Sequence, residues 1–160
     1  MDWQMTKSND NCRLRPLVEE DHAFLFNSFL KSYRFSPFAE KITNTIYFED
    51  HHRLIERIIQ NSKVLVACNP SDPSQLYGYI LAGEEDGILI IHFVYVKHTF
   101  RNMGIGKTLL DAVGHSSDNA SVYTHHTRMA DKLSSKYNLV YHPYLLFDLP
   151  NYVESPDEQD

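Results

Sequence analysis

Cysteine is scarce in this chain, with two in 160 residues, and there is a single tryptophan and six glycines. Cys12 and Cys68 have no partner at metal-ligand spacing, and a chain of this length needs neither disulfides nor a structural metal to hold a core. Both lie in strand-like surroundings, where a free thiol packs as a small apolar group. Reduced thiols in a cytoplasmic protein are therefore expected. Long hydrophobic runs are also missing. The most apolar stretch, 88–91, stops at His92, far short of the ~20 residues that a spanning helix requires, so no membrane partner is expected. Residues 1–8 lack the basic start and apolar run of a signal peptide. Positive charge is in deficit, with 15 Lys and Arg against 21 Asp and Glu, a net charge of −6. That balance argues against coating nucleic acid as the main task. No repeat or low-complexity segment occurs.

What is present is an ordinary globular composition, 42% apolar and 22% charged, long enough for one domain. Residues 1–150 read as that domain and 151–160 as an acidic, Pro-broken tail. Cys12 to Leu17 is strand-like. Glu19 to Tyr33 carries Phe26, Phe29, Leu30 and Tyr33 at helical spacing, and Ile46 to Gln60 carries a second apolar stripe. Lys63 to Cys68 and Leu76 to Ala82 read as an antiparallel strand pair across a Pro-containing turn. Ile88 to Val96 is the longest strand candidate. Gly104 to Val113 is expected as a helix, Ser121 to Thr124 as a short strand, and Arg128 to Tyr137 as a helix. Leu139 to Leu149 is expected as a closing strand, with Pro143 marking an edge or bulge. The order β-α-α-β-β-β-α-β-α-β is that of a mixed α/β layer architecture.

One segment carries chemistry. A strand ends at Val96, a polar loop follows, and Arg101-Asn-Met-Gly104-Ile-Gly106 opens an apolar helix. Two glycines at a helix start allow backbone N–H groups to approach an anion closely, and the helix dipole favours pyrophosphate there. Arg101 and Lys107 add positive charge. A Walker A loop would need glycine at position 101, where Arg101 stands, although Gly106-Lys107-Thr108 matches its end. A dinucleotide fingerprint would need glycine at position 109, where Leu109 stands.

The run instead resembles the acyl-CoA pyrophosphate motif of the GNAT superfamily of N-acyltransferases, V-x-x-x-x-[RQ]-x-x-G-x-[GA]. Val96, Arg101, Gly104 and Gly106 fill those positions, and the element order from about Cys12 to Leu149 is also that family's. The resemblance implies a GNAT-like mixed central sheet flanked by helices, with a splayed central strand pair. It implies that the backbone of Arg101, Asn102, Met103, Gly104, Ile105, Gly106 and Lys107 holds the pyrophosphate of acetyl-CoA, with Thr108 adding a hydroxyl contact. Tyr95 and Val96 would pair with pantetheine like an added strand, and a backbone N–H there would polarise the thioester carbonyl. The strand from Ser121 would splay to form the acyl slot. Acetyl would pass directly to a primary amine.

Direct attack needs a base for the ammonium and an acid for the thiolate. His92 shares a face with Val94 and Val96 under strand alternation and has an ordinary pKa suited to a base. Many relatives carry a tyrosine acid in A-x-x-L-Y-x-x-x-G-F. Here the run is Ala130-Asp-Lys-Leu-Ser-Ser-Lys-Tyr-Asn-Leu139, so Ser134 stands in that place, and Tyr137 and Tyr141 are the other acid candidates. The pairs His51-His52 and His125-His126 are adjacent, not at helical ligand spacing, so no metal site is expected. His125 and His126 are expected to line the acceptor side instead. Aromatics in 33–38 and 141–146 would wall the acceptor, which stays open between a small molecule, a protein and a nucleobase. A homodimer is also left open. Two functions fit: an acetyl-CoA-dependent N-acetyltransferase, or a GNAT-fold module that binds acyl-CoA or a protein without turnover.

Overall fold

The computed structural model describes residues 9–116, 118 and 120–151. The acidic stretch expected at the end lies, beyond residue 151, outside the described residues. Ten elements follow the expected order: β1 (Arg13–Pro16), α1 (His22–Tyr33), α2 (Asn44–Gln60), β2 (Lys63–Asn69), β3 (Asp72–Glu85), β4 (Ile88–Val96), α3 (Ile105–Ala112), β5 (Ser121–Tyr123), α4 (Arg128–Lys136) and β6 (Leu139–Tyr141). The six strands form one sheet in sequence order. The first four are antiparallel, and β5 and β6 join in parallel. This is a mixed α/β sheet between two helical layers.

The central strands are apolar on both faces because both faces are covered. Val66, Cys68, Tyr79, Leu81 and Phe93 pack under α1 and α2, against Leu25, Phe29, Tyr33, Tyr47, Ile55 and Ile58. Their neighbours Leu65, Ala67, Ile80, Ala82, Ile91 and Val96 pack on the other face, against Ile105, Leu109 and Leu110 of α3. Strand alternation thus divides one continuous apolar sequence between two cores. Cys12 and Cys68 are buried free thiols belonging to opposite cores. Gly78 is a matter of space: a Cβ there would sit 2.2 Å from the Tyr95 carbonyl oxygen, so only glycine lets β3 lie this close to β4. Arg15 grips Asp21 with two hydrogen bonds of 2.6 and 2.9 Å, tying β1 to the entry of α1.

Three sequence boundaries change. The strand expected over Leu76–Ala82 runs from Asp72 to Glu85, taking in Pro73 of the expected turn. Residues 139–149 are not one strand: β6 ends at Tyr141, and Pro143–Asp148 forms a 3-10 helix. Proline tolerates the first turn of such a helix because its missing N–H has no partner to lose. The expected edge position holds, since β6 is an outer strand of the sheet. The helix expected from Glu19 begins as a 3-10 turn over Glu19–Asp21, with α1 proper from His22.

The feature that positions the site is in β4. Leu81 pairs with Phe93, but Ala82 pairs with Ile91, so His92 is an extra residue, a bulge. The core face accordingly shifts from Leu89 and Ile91 to Val94 and Val96. A bulge bends its strand, and β4 keeps only two register partners on β5, Ile90 with Val122 and Ile91 with Tyr123. Beyond them the strands part, the splay that the sequence led us to expect.

Candidate functional site

The loop after β4 is built from backbone conformations that its residues tolerate. Asn102 (φ 70°) and Gly104 (φ 76°) are both left-handed. Asparagine visits that region with little penalty and glycine with none. Left-handed residues in such a loop turn N–H groups into a shared concavity, an anion nest. α3 follows directly, and its first internal backbone bond runs from the Thr108 N–H to the Gly104 carbonyl at 3.0 Å. The N–H groups of Ile105, Gly106 and Lys107 therefore have no acceptor within the helix. Ile105 is buried and Met103 packs against the α3 core, so these two anchor the loop inward and offer only backbone outward. The Thr108 hydroxyl donates to the Gly104 carbonyl at 2.9 Å. Arg101 is exposed, and its Nε donates to the Val96 carbonyl at 3.1 Å. Lys107 is also exposed.

Two residues absent from the sequence reading brace this loop from outside. Asn9 Nδ2 donates to the Met103 carbonyl at 3.0 Å and to the Thr108 hydroxyl at 3.2 Å. Asn11 Nδ2 donates to the same carbonyl at 3.3 Å. They precede the loop by more than ninety positions, and nothing local to Asn9-Asp10-Asn11 signals the contact.

The splay supplies the second half of the site. The Lys97 N–H donates to the Tyr77 carbonyl on β3 at 2.8 Å. Alternation then turns the peptide groups of Tyr95 toward β3 and those of Val94 and Val96 toward the gap. A cavity of about 30 Å³ lies in that gap, with His92, Val94 and His125 on its strand walls and Leu110, Ala130 and Leu133 on its helix walls. It has room for a methyl group or a water. The Tyr95 ring stacks on Tyr79 at 5.5 Å, away from the cavity lining.

His92 is 2% exposed, and its Nδ1 lies 3.0 Å from the Thr124 hydroxyl. That hydroxyl is also 3.0 Å from Nδ1 of His125. His125 Nε2 in turn lies 3.1 Å from Nε2 of His51 on α2. Burial pushes His92 and His51 down to about 4. Burial, then the neighbouring His51 and His92, hold His125 well below the ordinary histidine value. All three rings are therefore neutral at pH 7, able to accept a proton yet unable to keep one. Sequence reasoning placed His92 in the strand and His125 on the acceptor side of the cleft. It missed His51 and Thr124 because no spacing links α2 to β5.

The acid candidates stand apart from the cavity lining. The Ser134 hydroxyl donates to the Asp131 carbonyl of its own helix at 2.9 Å. Tyr137 ends α4 and meets His115 edge-on, and Tyr141 stacks on Tyr123 at 5.3 Å. Burial, then Tyr123, push the Tyr141 phenol up from its usual value. Of the aromatics expected along 33–38, Tyr33 is buried, Phe38 stacks on it at 6.0 Å while 54% exposed, and Phe35 is 82% exposed. Arg34 fixes the connection between them by donating to Asn44, Ala39 and Ile42. His126 faces Tyr141 and is paired with Asp131.

Among the described residues there is no group of three or more His, Cys, Asp or Glu that could hold a metal. No helix among them is long and apolar enough to cross a membrane.

Solved structures with a TM-score above 0.5 share the fold. A Corynebacterium glutamicum protein named histone acetyltransferase HPA2 and related acetyltransferase superimposes with a TM-score of 0.57 at 14% identity, over 79% of this chain and 83% of that one. A Pyrococcus furiosus protein assigned as an acetyl transferase superimposes with a TM-score of 0.53 at 20% identity, over 91% and 99%. A Staphylococcus aureus acetyltransferase of the GNAT family aligns at 21% identity with a TM-score of 0.42, and this chain spans 64% of its own length and 63% of that protein's. No curated protein matches the chain at a significant level. The family model of the Acetyltransferase (GNAT) family matches residues 23–128, from the first helix through the loop, the splayed strands and the start of α4. With more than half its length inside that match, the chain belongs to the GNAT acetyltransferase family.

Proposed function

We propose that the protein transfers an acetyl group from acetyl-CoA to a primary amine by direct attack. One observation carries this reading: an anion nest at Asn102 and Gly104, heading a helix, opens beside a splayed strand pair whose gap holds a cavity of about 30 Å³. Pyrophosphate suits the nest, an extended pantetheine suits the Val94 peptide and the Val96 N–H that face the gap, and a methyl group suits the cavity. The Val94 or Val96 N–H would polarise the thioester carbonyl. Neutral His92 serves as base for the incoming ammonium, directly or through a water. Tyr141 and Tyr137 remain the phenols available to the leaving thiolate. The acceptor contacts the exposed rings of Phe38 and Tyr141, with Tyr33 buried behind Phe38. Free, buried thiols support a cytoplasmic location.

The test is acetyl-CoA consumption with a panel of phenethylamine, spermidine, a lysine peptide and a free adenine nucleoside, alongside calorimetry of coenzyme A binding. Binding with turnover of at least one amine supports the reading, and absence of coenzyme binding overturns it. A second reading, a module that binds acyl-CoA without turnover, is favoured by Ser134, whose hydroxyl is spent on its own helix where relatives carry a tyrosine. Tight coenzyme binding with no amine acetylated would select it.

A further inference from the structure

Three elements that meet only in the folded chain contribute to one unbroken line of hydrogen bonds: His51 from α2, His125 and Thr124 from the end of β5, and His92 from the β4 bulge. Its three links measure 3.1, 3.0 and 3.0 Å. The four residues are 5%, 2%, 0% and 2% exposed. A threonine hydroxyl has one hydrogen, so between two ring nitrogens it donates to one and accepts from the other. Each neutral imidazole likewise has one N–H and one lone pair. With every ring neutral, only two arrangements satisfy all three links, and they differ by moving every hydrogen one step in the same direction. That is the property of a proton-conducting chain, as opposed to a static buried cluster.

We propose that His92, Thr124, His125 and His51 form a proton relay that takes a proton from the β4–β5 slot and delivers it to α2. The inference rests on the acetyl-transfer reading, in which His92 meets the ammonium. An ammonium N–H bond breaks and its proton joins Nε2 of His92, while the electron pair stays on the amine nitrogen for attack on the thioester. His92 passes its Nδ1 proton to the Thr124 oxygen, and that hydroxyl passes its own hydrogen to Nδ1 of His125. His125 passes its Nε2 proton to Nε2 of His51, which sheds its Nδ1 proton to solvent. Every group gains one proton and loses one.

The surroundings favour passage over storage. The line is packed by Phe29 and Tyr33 of α1, Phe38 of the following loop, Tyr47 of α2 and Phe93 of β4. The titratable groups facing it are the phenols of Tyr33 and Tyr47, and Arg34 lies over the Tyr47 ring at 5.1 Å. Among the described residues no carboxylate is hydrogen-bonded to any of the three rings, and the hydrogen bond to the His92 backbone that favours a charge on His125 is outweighed by burial and the neighbouring rings. Nε2 of His92 faces the space that a side chain at Gly83 would occupy, 3.9 Å from its Cβ position. Thr124, His125 and His51 are thus positioning residues that act through His92.

Two measurements on the full chain test this. In ¹⁵N-histidine NMR, Thr124→Val should change the ring tautomers of His92 and His125 together, while Thr124→Ser should preserve the wild-type pattern. In kinetics with acetyl-CoA and phenethylamine, or the amine of the panel that turns over fastest, Thr124→Val should lower kcat on the order of tenfold or more, with the KM for acetyl-CoA unchanged. Its proton inventory in mixed H₂O/D₂O should change from curved to linear, and Thr124→Ser should restore both. Ring tautomers indifferent to Thr124→Val overturn the relay. Turnover in the wild type with an unaltered inventory in Thr124→Val overturns it as well, leaving acetyl transfer standing. A wild type that acetylates no amine removes acetyl transfer and the relay's role together, even if the tautomers are coupled.

Discussion

The donor loop and the histidine line sit on either side of the same splay and are built in opposite ways. The loop runs through consecutive residues, is half open to solvent, and offers peptide N–H groups whose direction is set by two left-handed residues. The line draws side chains from α2, β4 and the turn after β5, is almost wholly buried with its His51 end 5% exposed, and depends on which nitrogen holds each hydrogen. The site proposed for the coenzyme is written in a few residues of backbone. The line proposed to carry a proton is assembled by packing. Damage to the first should appear in coenzyme affinity, and damage to the second in rate and in pH dependence.

The largest expected effect tests the second half. His92→Gln should lower kcat by about 10²–10⁴-fold, the usual contribution of a positioned base, with coenzyme affinity within about twofold of wild type by the same argument. A fall in affinity equal to the fall in rate would merge the two regions into one.

Stability against pH probes the same half without any substrate. His51 and His92 are held at about 4 by burial, below the ordinary 6.5. The unfolded chain therefore takes up protons that the folded chain refuses as pH falls from about 6.5 to about 4. Stability is complete above that window and is lost on descending through it, on the order of 2 kcal/mol per ring between about pH 7 and about pH 5. Urea unfolding at the two pH values should show the loss, and His51→Gln should reduce it.

The loop half comes next. Gly104→Val puts a β-branched residue at φ 76° with its Cβ 3.3 Å from Asn9 Nδ2, a strain of about 1–3 kcal/mol. Calorimetry should show coenzyme A affinity reduced by about 10- to 100-fold, the equivalent of that energy. Unchanged affinity would remove the loop from the site. Asn9→Ala should act in the same direction but more weakly, by a factor of about 2–20, because it removes two hydrogen bonds worth about 0.5–1.5 kcal/mol each, only part of which holds the loop. Near-zero effects are expected from Ser134→Ala. Its hydroxyl serves its own helix, so kcat should stay within about twofold of wild type, at most one modest hydrogen bond. A large loss there would return the acid to α4.

Legibility in the sequence followed locality. The strand Ile88–Val96 was readable to the residue, and the helices to within two or three, because period and capping are properties of neighbouring residues. The run 139–149 was misread because apolar residues beside a proline look alike in an edge strand and in a short 3-10 helix; the distinction came from where Leu146 and Leu149 find the α1–α2 core. The assignment of His92 to one face by simple alternation could not allow for the bulge, which exists only in the pairing of β4 with β3.

The sequence by itself determined the alternation of strands and helices and a glycine-bearing turn at Arg101–Lys107 that heads a helix. Each follows from propensities and spacings that act within a few residues. Tertiary structure alone decided that Asn9 and Asn11 brace the loop, that β4 bulges at His92, and that His51 and His125 meet nitrogen to nitrogen. The asparagine braces and the His51–His125 contact join residues 74 or more positions apart. Their energy exists only once both cores have closed around the sheet and excluded water from the groups between them.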